Sequence, residues 1–322
     1  MKVLLTGCAG FIGSHTCEKL LSKGFSVIGI DNFSTFYDRS IKEKNLDAFR
    51  DHPNFSFKAV DIRDFSLLKE HLQQEVDIVV HLAAKAGVRP SILSASDYID
   101  VNIKGTQNLL QWMRDTNCKK MFFASSSSVY GNNKNGEAVK EGKFDLQPIS
   151  PYAFTKRSGE LMNYTYHHLY DFDIINARFF TVYGPRQRPD LAIHKFVDLI
   201  SRNQPIHMYG DGSSARDYTY IQDTVNGIVG GVDYLLNHEN VIETINLGNQ
   251  TPVPLITLIK TIYAQLGKEE NIIQEGMQEG DVNLTFADIE KAQELLGYHP
   301  SVKLEDGIAR FVEWYQQKDN TK

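Results

Sequence analysis

The sequence predicts an α/β protein: a doubly wound parallel sheet followed by a smaller C-terminal α/β lobe. Three observations predict it. Short apolar runs alternate with longer helix-period segments through the first half, as in repeated βαβ units. A glycine-rich turn joins the first run to the first helical segment. From about Phe180 the loops become denser, in YGPRQRPD, YGDGSSARD and LGNQTPVP.

Apolar runs at Val3–Leu5, Val27–Ile30, Phe55–Val60, Ile78–Leu82, Met121–Ala124 and Ile174–Ala177 predict buried strands. Between them, Ile12–Ser22, Ser66–Gln74, Ala95–Thr116 and Pro151–Tyr170 carry helical spacing. Five later segments do the same: Ala192–Arg202, Ile221–Leu236, Leu255–Leu266, Ile289–Leu296 and Leu304–Gln316. The expected division is a cofactor-binding domain over 1–179 and a mainly substrate-binding lobe over 180–322. Some late segments are expected to rejoin the first sheet, so that boundary is soft.

A chain of 322 residues can bury a large core. Its net charge of −6 and its lack of a Lys/Arg cluster argue against a nucleic-acid or membrane partner. An anionic ligand would need local arginines. The three cysteines, Cys8, Cys17 and Cys118, form no C-x-x-C and no His/Cys cluster. That points to a reducing compartment, with no structural zinc and no other metal. No run approaches the roughly 18 apolar residues of a spanning helix. The opening MKVLLTGCAGFIG is too short and too glycine-broken for a signal peptide, so it reads as a buried strand and the expected location is the cytoplasm.

The segment Val3–Gly13 is a strand, a glycine turn and a helix start. Gly7 permits the tight turn, Gly10 lets backbone approach a pyrophosphate, and Gly13 lets the helix pack close to the strand. The helix N-terminus would then face the phosphates. The pattern reads either as the phosphate-binding turn of a Rossmann domain or as a tight turn with no ligand. Asp31 ends the next strand, eighteen residues past Gly13, where an acid receives ribose hydroxyls. Asn32 follows it. An acid without a nearby base disfavours a 2′-phosphate and so favours NAD over NADP. Asp61 follows a further strand and either reaches the adenine amine or is a loop acid or helix cap.

Tyr152 and Lys156 stand four residues apart in SPYAFTKRSGEL, on one face of a helix. A lysine ammonium beside a phenol lowers its pKa from about 10. A tyrosine so poised can take a proton from a sugar hydroxyl and return it. The spacing also occurs by chance on many helices, so its meaning depends on the rest of the chain.

Taken in order, these motifs resemble the extended short-chain dehydrogenase/reductase family, specifically its nucleotide-sugar epimerases. The resemblance spans nearly the whole chain. It rests on Gly7/Gly10/Gly13, Asp61-Ile62, His81-Leu82-Ala83-Ala84, Asn102 with Gly105, Ser125–Gly131 and Tyr152/Lys156. In the second lobe it takes in Arg178–Pro185, Arg216-Asp217-Tyr218 and Gly280-Asp281. The strings AAKAGVRPS, ASSSSVYGNN, RFFTVYGPRQRPD and MQEGDV are most similar to those of epimerases acting on UDP-glucuronate. Thr181 and Gln278 stand where the UDP-galactose enzymes tend to carry asparagine and arginine. Lys85 and Cys8 depart from the commonest residues at their positions.

The resemblance implies NAD as cofactor, a UDP-sugar as substrate and inversion at C4 through a 4-keto sugar. It implies Tyr152 as base, with Lys156, and Ser126 as its proton partner. The implied cofactor contacts are Gly7, Gly10, Phe11, Ile12, Gly13, Asp31, Asn32, Asp61, Ile62, Leu82, Ala83, Ala84, Asn102, Ser125, Tyr152, Lys156 and Phe179. The implied substrate contacts are Arg89, Ser126, Ser127, Ser128, Thr181, Arg188, Tyr209, Arg216 and Asp281. Arg89, Arg188 and Arg216 are either oxyanion clamps or surface ion pairs. Tyr209 either stacks on uracil or belongs to the core, and Asp281 either binds a ribose hydroxyl or caps a turn. His81 reads as a hydrogen-bonded residue at a strand end, not a catalyst.

With UDP-glucuronate the 4-keto intermediate would be a β-keto acid, prone to lose carbon dioxide. Ser127, Ser128 and Thr181 are suited to hold the carboxylate out of alignment for that loss. Decarboxylases and 4,6-dehydratases carry acids in or beside the serine string, and none occurs here. A neutral UDP-hexose or UDP-N-acetylhexosamine is the alternative substrate, and a non-catalytic NAD-binding protein the alternative class. The helices Ala95–Thr116 and Pro151–Tyr170 are those through which the family commonly dimerises.

Overall fold

In the computed structural model, which describes residues 1–133, 136–142, 146–276 and 283–319, the apolar runs become one parallel sheet. Its first six strands are β1 (Lys2–Thr6), β2 (Ser26–Asp31), β3 (Phe55–Ala59), β4 (Ile78–His81), β5 (Lys120–Ser126) and β6 (Asp173–Phe179). Three strands of smaller sheets follow: β7 (Thr181–Tyr183), β8 (Ile206–Tyr209) and β9 (Ala215–Tyr220). Then β10 (Ile242–Leu247) returns to pair with β6, so the sheet runs β10-β6-β5-β4-β1-β2-β3. The order reverses between β1 and β4, which is where such sheets open a ligand crevice. Register aligns Thr6 with both Ile30 and His81, and Ser126 with Phe179. The sequence-predicted site residues on the strands therefore share one edge.

These strands are apolar on both sides because both faces are covered. Val3, Leu5, Val80, Phe122 and Ile175 face one core, and Leu4, Val79, Met121, Phe123 and Ile174 the other. The first core is closed by α1 (Phe11–Ser22) and by a helix that arrives late, Ile221–Asn237. Between them in the chain come α2 (Arg39–Leu46), α3 (Phe65–His71), α4 (Val88–Leu93), α5 (Ala95–Tyr98), α6 (Gly105–Thr116), α7 (Pro151–Tyr170) and α8 (Ala192–Ser201). The late helix is therefore α9. The second core is closed by α3, α6 and α7 through Leu68, Leu109, Trp112, Met113 and Tyr166. Adjacent Phe122 and Phe123 point to opposite faces, and each meets a helical glycine. A Cβ on Gly231 of α9 would lie 2.4 Å from Phe122, and one on Gly159 of α7 would lie 2.4 Å from Phe123.

The smaller lobe holds β7, β9 and β11 (Pro252–Pro254) in one sheet, and β8 with β12 (Ile272–Glu275) in another. Helices α10 (Leu255–Leu266), α11 (Glu290–Leu296) and α12 (Leu304–Asp319) complete it. No helix among the described residues is long and apolar enough to cross a membrane.

The segment read as one helix over Ala95–Thr116 is interrupted. A π-helical turn, Ile99–Lys104, separates α5 from α6. Apolar spacing does not register one extra residue per turn, but its effect is specific. It lies at buried Asn102, whose Oδ1 accepts from the Lys85 amide at 2.7 Å and whose Nδ2 donates to the Lys85 carbonyl at 2.9 Å. Helix α7 starts at a complete cap: Ser150 Oγ accepts from the Ala153 amide at 3.2 Å, and Pro151 takes the first helical position.

Candidate active site

The glycine turn closes on itself tightly. Gly7 has φ +74°, and a Cβ there would lie 2.9 Å from the Ala83 nitrogen across the switch point. A Cβ on Gly13 would sit 2.0 Å from the Gly7 carbonyl oxygen. At Gly10 a Cβ would meet one atom within 4 Å, the Gly7 oxygen at 3.2 Å, so that side of the loop is open. Gly10 also caps α1 without a side-chain hydrogen bond. The first amides of α1 thus remain for an anionic ligand. This cradle fits a dinucleotide diphosphate.

Buried Asp31 ends β2 and accepts from the Phe33 amide at 2.8 Å. Lys42 of α2 lies 3.4 Å from it and is equally buried. Asn32 donates to Asp61 at 2.8 Å, and Arg63 grips the same carboxylate through Nε and Nη2. Arg63 and Asn32 hold the Asp61 pKa down at about 2 against the upward pull of burial. Two bases therefore stand near the acids, Lys42 and Arg63. Neither is adjacent to Asp31 in sequence, which is why the expectation of an acid without a nearby base missed them.

One cavity of ≈ 1110 Å³ joins this crevice to the smaller lobe. Its lining includes Ser125, Ser126, Tyr152, Lys156, Phe179, Thr181 and Arg188 alongside the glycine turn. Lys156 is buried, and its Nζ donates to the Ala124 carbonyl at 2.7 Å above the Phe123 ring. Burial pulls the Lys156 pKa down to about 7, while Glu160 one turn on pulls it back up. The Tyr152 phenol behaves otherwise than the Y-x-x-x-K spacing predicts. Burial raises its pKa, and the opposing influences are a hydrogen bond from Ser126 and the charge of Arg188. The physical reason is that the lysine is itself desolvated and engaged with backbone.

Behind the serines lies an ion cluster that sequence reasoning missed. Arg178 donates to Glu160 through Nε and Nη2, both at 2.8 Å, and Ser125 donates to Glu160 at 2.6 Å. The pairing holds the Glu160 pKa below its ordinary value despite burial. The available signal was Lys156-x-x-x-Glu160 on one helix face. His81 is fully engaged: Nδ1 with Thr6 at 2.7 Å and Nε2 with Thr106 at 3.0 Å. Burial drops its pKa to about 3, so the ring is neutral.

The remaining expected contacts fall into groups. Phe11, Ile12, Ile62, Leu82, Ala83 and Ala84 line the cavity, as do Arg89, Tyr209 and Arg216. Arg89 lies 5.9 Å over the Tyr209 ring, joining segments 120 residues apart. Arg216 donates to the Ala215 carbonyl at 3.0 Å. Arg188 makes a two-pronged pair with Asp190 at 2.9 and 2.8 Å and lies 5.1 Å over Phe36. Asn102 sits behind the lining and braces the Lys85 backbone. Ser127 and Ser128 form a 3₁₀ turn beyond the lining, with Ser128 donating to Ser126 Oγ at 2.9 Å. Asp281 and Gln278 lie outside the described residues. Among the described residues, no group of three or more His, Cys, Asp or Glu could hold a metal ion.

Known proteins share this architecture along the whole chain. A family model described as GDP-mannose 4,6 dehydratase matches residues 4–311. A UDP-glucuronate 4-epimerase of Thermodesulfobacterium geofontis is 40% identical over 316 residues, covering 98% of this chain and 96% of that protein. A structure of the UDP-glucuronic acid 4-epimerase of Bacillus cereus, in complex with UDP-glucuronic acid and NAD, superposes with a TM-score of 0.91. It is 36% identical and covers 99% of this chain and 100% of that one. The UDP-glucose 4-epimerase of Thermotoga maritima with UDP-glucose gives a TM-score of 0.90 at 30% identity, over 99% of both chains. The chain belongs to the family of the GDP-mannose 4,6 dehydratase model, the short-chain dehydrogenase/reductase-type epimerases and dehydratases.

Proposed function

We propose that the protein is an NAD-dependent isomerase that inverts C4 of UDP-glucuronate, giving UDP-galacturonate through a 4-keto intermediate. The observation that carries this is one cavity lined by both the glycine turn and the Ser126/Tyr152/Lys156 group. The greater identity to glucuronate enzymes than to the glucose enzyme favours the charged sugar.

The glycine turn with Asp31 would hold NAD, which would supply the redox chemistry by accepting a hydride from C4 and giving it back. Tyr152 takes the proton of the C4 hydroxyl and later returns it. Ser126 hydrogen-bonds the same oxygen. Lys156 fixes α7 against β5 and orients the cofactor beside Tyr152. Arg188 supplies the positive field that eases ionisation of the phenol and faces the anionic part of the substrate. Thr181, in the lining, holds the C5 carboxylate so that the C5–C6 bond stays misaligned with the C4 carbonyl; Ser127 and Ser128 lie beyond the lining, and Ser128 acts only through its hydrogen bond to Ser126. Asp31 and Asp61 take the adenosine end. Arg89, Tyr209, Arg216 and Asp281 are assigned to the uridine diphosphate. Cofactor binding thus belongs to 1–179 with the returning segments, and sugar binding mainly to 180–322.

The active form we infer is a homodimer. Phe154, Leu161 and Tyr164 of α7 are 50%, 52% and 61% exposed, at spacings of seven and three on one helix face. A second copy packing helix to helix would cover them. We place the enzyme in the cytoplasm, since all three cysteines are unpaired and buried.

The decisive experiment follows purified enzyme with UDP-glucuronate by NMR, tracking UDP-galacturonate and any UDP-pentose. UDP-glucose and UDP-N-acetylglucosamine are run in parallel. Turnover of the neutral sugars with none of UDP-glucuronate would sink the assignment.

A further inference from the structure

We infer that His15, Glu18 and Arg186 form a clasp that positions the substrate-facing Arg188 by tying its loop to the cofactor helix. The inference rests on the UDP-sugar reading of the cavity. It assigns a role to three residues that touch neither substrate nor cofactor in that reading.

The loop between β7 and α8 reads Gly184-Pro185-Arg186-Gln187-Arg188. Two consecutive residues of it are gripped by α1. The Arg186 guanidinium reaches Glu18 with two prongs, Nη1 to Oε2 and Nη2 to Oε1, each 2.9 Å. The Pro185 carbonyl meets His15 Nε2 at 2.9 Å. Burial and the neighbouring Arg186 lower the His15 pKa to about 4, so at neutral pH the ring is uncharged and Nε2–H donates to that carbonyl. His15 and Glu18 are three residues apart, one turn of the helix whose first amides face the diphosphate crevice.

The grip is held against a backbone preference. Arg186 has φ +65°, a left-handed conformation that a non-glycine residue rarely adopts. The surrounding contacts over-determine it. Two residues on, Arg188 enters the cavity, pairs with Asp190 and lends its charge to Tyr152. The same loop carries buried Gln187, whose carbonyl meets His194 of α8 at 2.6 Å. The loop is therefore pinned on one side to the cofactor helix and on the other to the small lobe. The position of Arg188 between them follows from both anchors.

The test uses the whole enzyme. Arg186→Gly removes the guanidinium while suiting the left-handed backbone, and Glu18→Gln removes the charge from the other partner. Both are expected to raise KM, and the equilibrium Kd, for UDP-glucuronate roughly tenfold and to lower kcat several-fold, since a displaced Arg188 also lends less charge to Tyr152. NAD content and thermal midpoint should stay near the parent values. Arg186→Lys, which keeps charge but loses the fork, should fall between parent and Arg186→Gly. Affinity within about twofold of the parent in folded Arg186→Gly and Glu18→Gln would overturn the clasp, as would a fall in kcat at unchanged KM. Should one variant not fold, the other decides. Titration with UDP-glucuronate and with UDP reads the clasp even without turnover. A parent enzyme that binds UDP but does not turn over UDP-glucuronate would fault the substrate assignment instead.

Discussion

Lys156 Nζ donates to the Ala124 carbonyl at 2.7 Å, two residues before Ser126 on β5. The lysine therefore joins the helix bearing Tyr152 to the strand bearing its proton partner. Burial brings its pKa from an ordinary 10.5 to about 7. Between those values the unfolded chain holds a proton on this lysine that the folded chain does not. Stability attributable to Lys156 thus rises as pH climbs from about 7 toward 10.5. Urea midpoints of the parent and of Lys156→Met across that window should diverge in the parent's favour. Taking the difference removes the buried cysteines, whose raised pKa values work the opposite way in alkali. A flat or narrowing difference would refute the desolvated lysine.

Tyr152→Phe keeps the ring and removes the base. Its kcat should fall by at least about 10²–10⁴-fold, the worth of a positioned general acid–base. NAD content and fold should be unchanged. Ser126→Ala should lose less, because it removes a hydrogen bond to the reacting oxygen and leaves the base. Unchanged turnover in Tyr152→Phe would remove Tyr152 from the mechanism.

Much of this site was visible in sequence because its chemistry is local. Gly7, Gly10 and Gly13 fall within one turn, and Tyr152 and Lys156 within another. Most of what sequence missed depends on contacts between distant segments. Lys42 reaches Asp31 from another element, α2, whereas Arg63 stands only two residues past Asp61 and its grip was local but not read. The Glu160–Arg178 pair joins α7 to β6. The π-helical turn at Asn102 leaves no mark in apolar spacing, because the adjoining helical turns remain in phase with their own cores. The direction of the Tyr152 shift also escaped, since burial outweighs a neighbour that four-residue spacing alone brings near. The parallel sheet was legible because strands buried on both faces must be apolar throughout. The short strands β7, β8, β11 and β12 carry no such run.

Glu160 is 2% exposed and its partner Arg178 is 4% exposed as side chains. Glu160→Ala would leave a buried guanidinium without its carboxylate. The expected loss is about 3–5 kcal/mol in chemical denaturation. Glu160→Ala with Arg178→Met together should recover part of it, since the orphaned charge is then gone. A loss below about 1 kcal/mol for the single variant would show the pair to be solvated like a surface bridge.

Leu161→Glu with Tyr164→Arg places charge in the exposed stripe of α7. Analytical ultracentrifugation should then show a monomer where the parent sediments as a dimer. Each residue is over half exposed, so the monomer's own fold should be little affected. A parent that is monomeric, or a variant that still dimerises, would send the interface elsewhere.

Phe122 and Phe123 offer a paired test of how packing reaches the chemistry. Each ring lies 2.4 Å from where a Cβ would be added, on Gly231 and Gly159 respectively. Alanine at either glycine gains about 0.8–1 kcal/mol of helix propensity. Forcing a methyl into a filled core costs typically 1–3 kcal/mol, so each variant should be net destabilised or near neutral. Activity should separate them. The Phe123 ring lies beneath the Lys156 ammonium at 5.2 Å and beside His81 at 5.6 Å, whereas Phe122 faces the opposite core. Displacing Phe123 must move what rests on it. Gly159→Ala should therefore lower kcat several-fold more than Gly231→Ala at matched stability, and adding Phe123→Leu should relieve part of the loss. Equal kcat in the two glycine variants would mean that Lys156 is held by the Ala124 carbonyl alone, with the ring beneath it contributing nothing to its position.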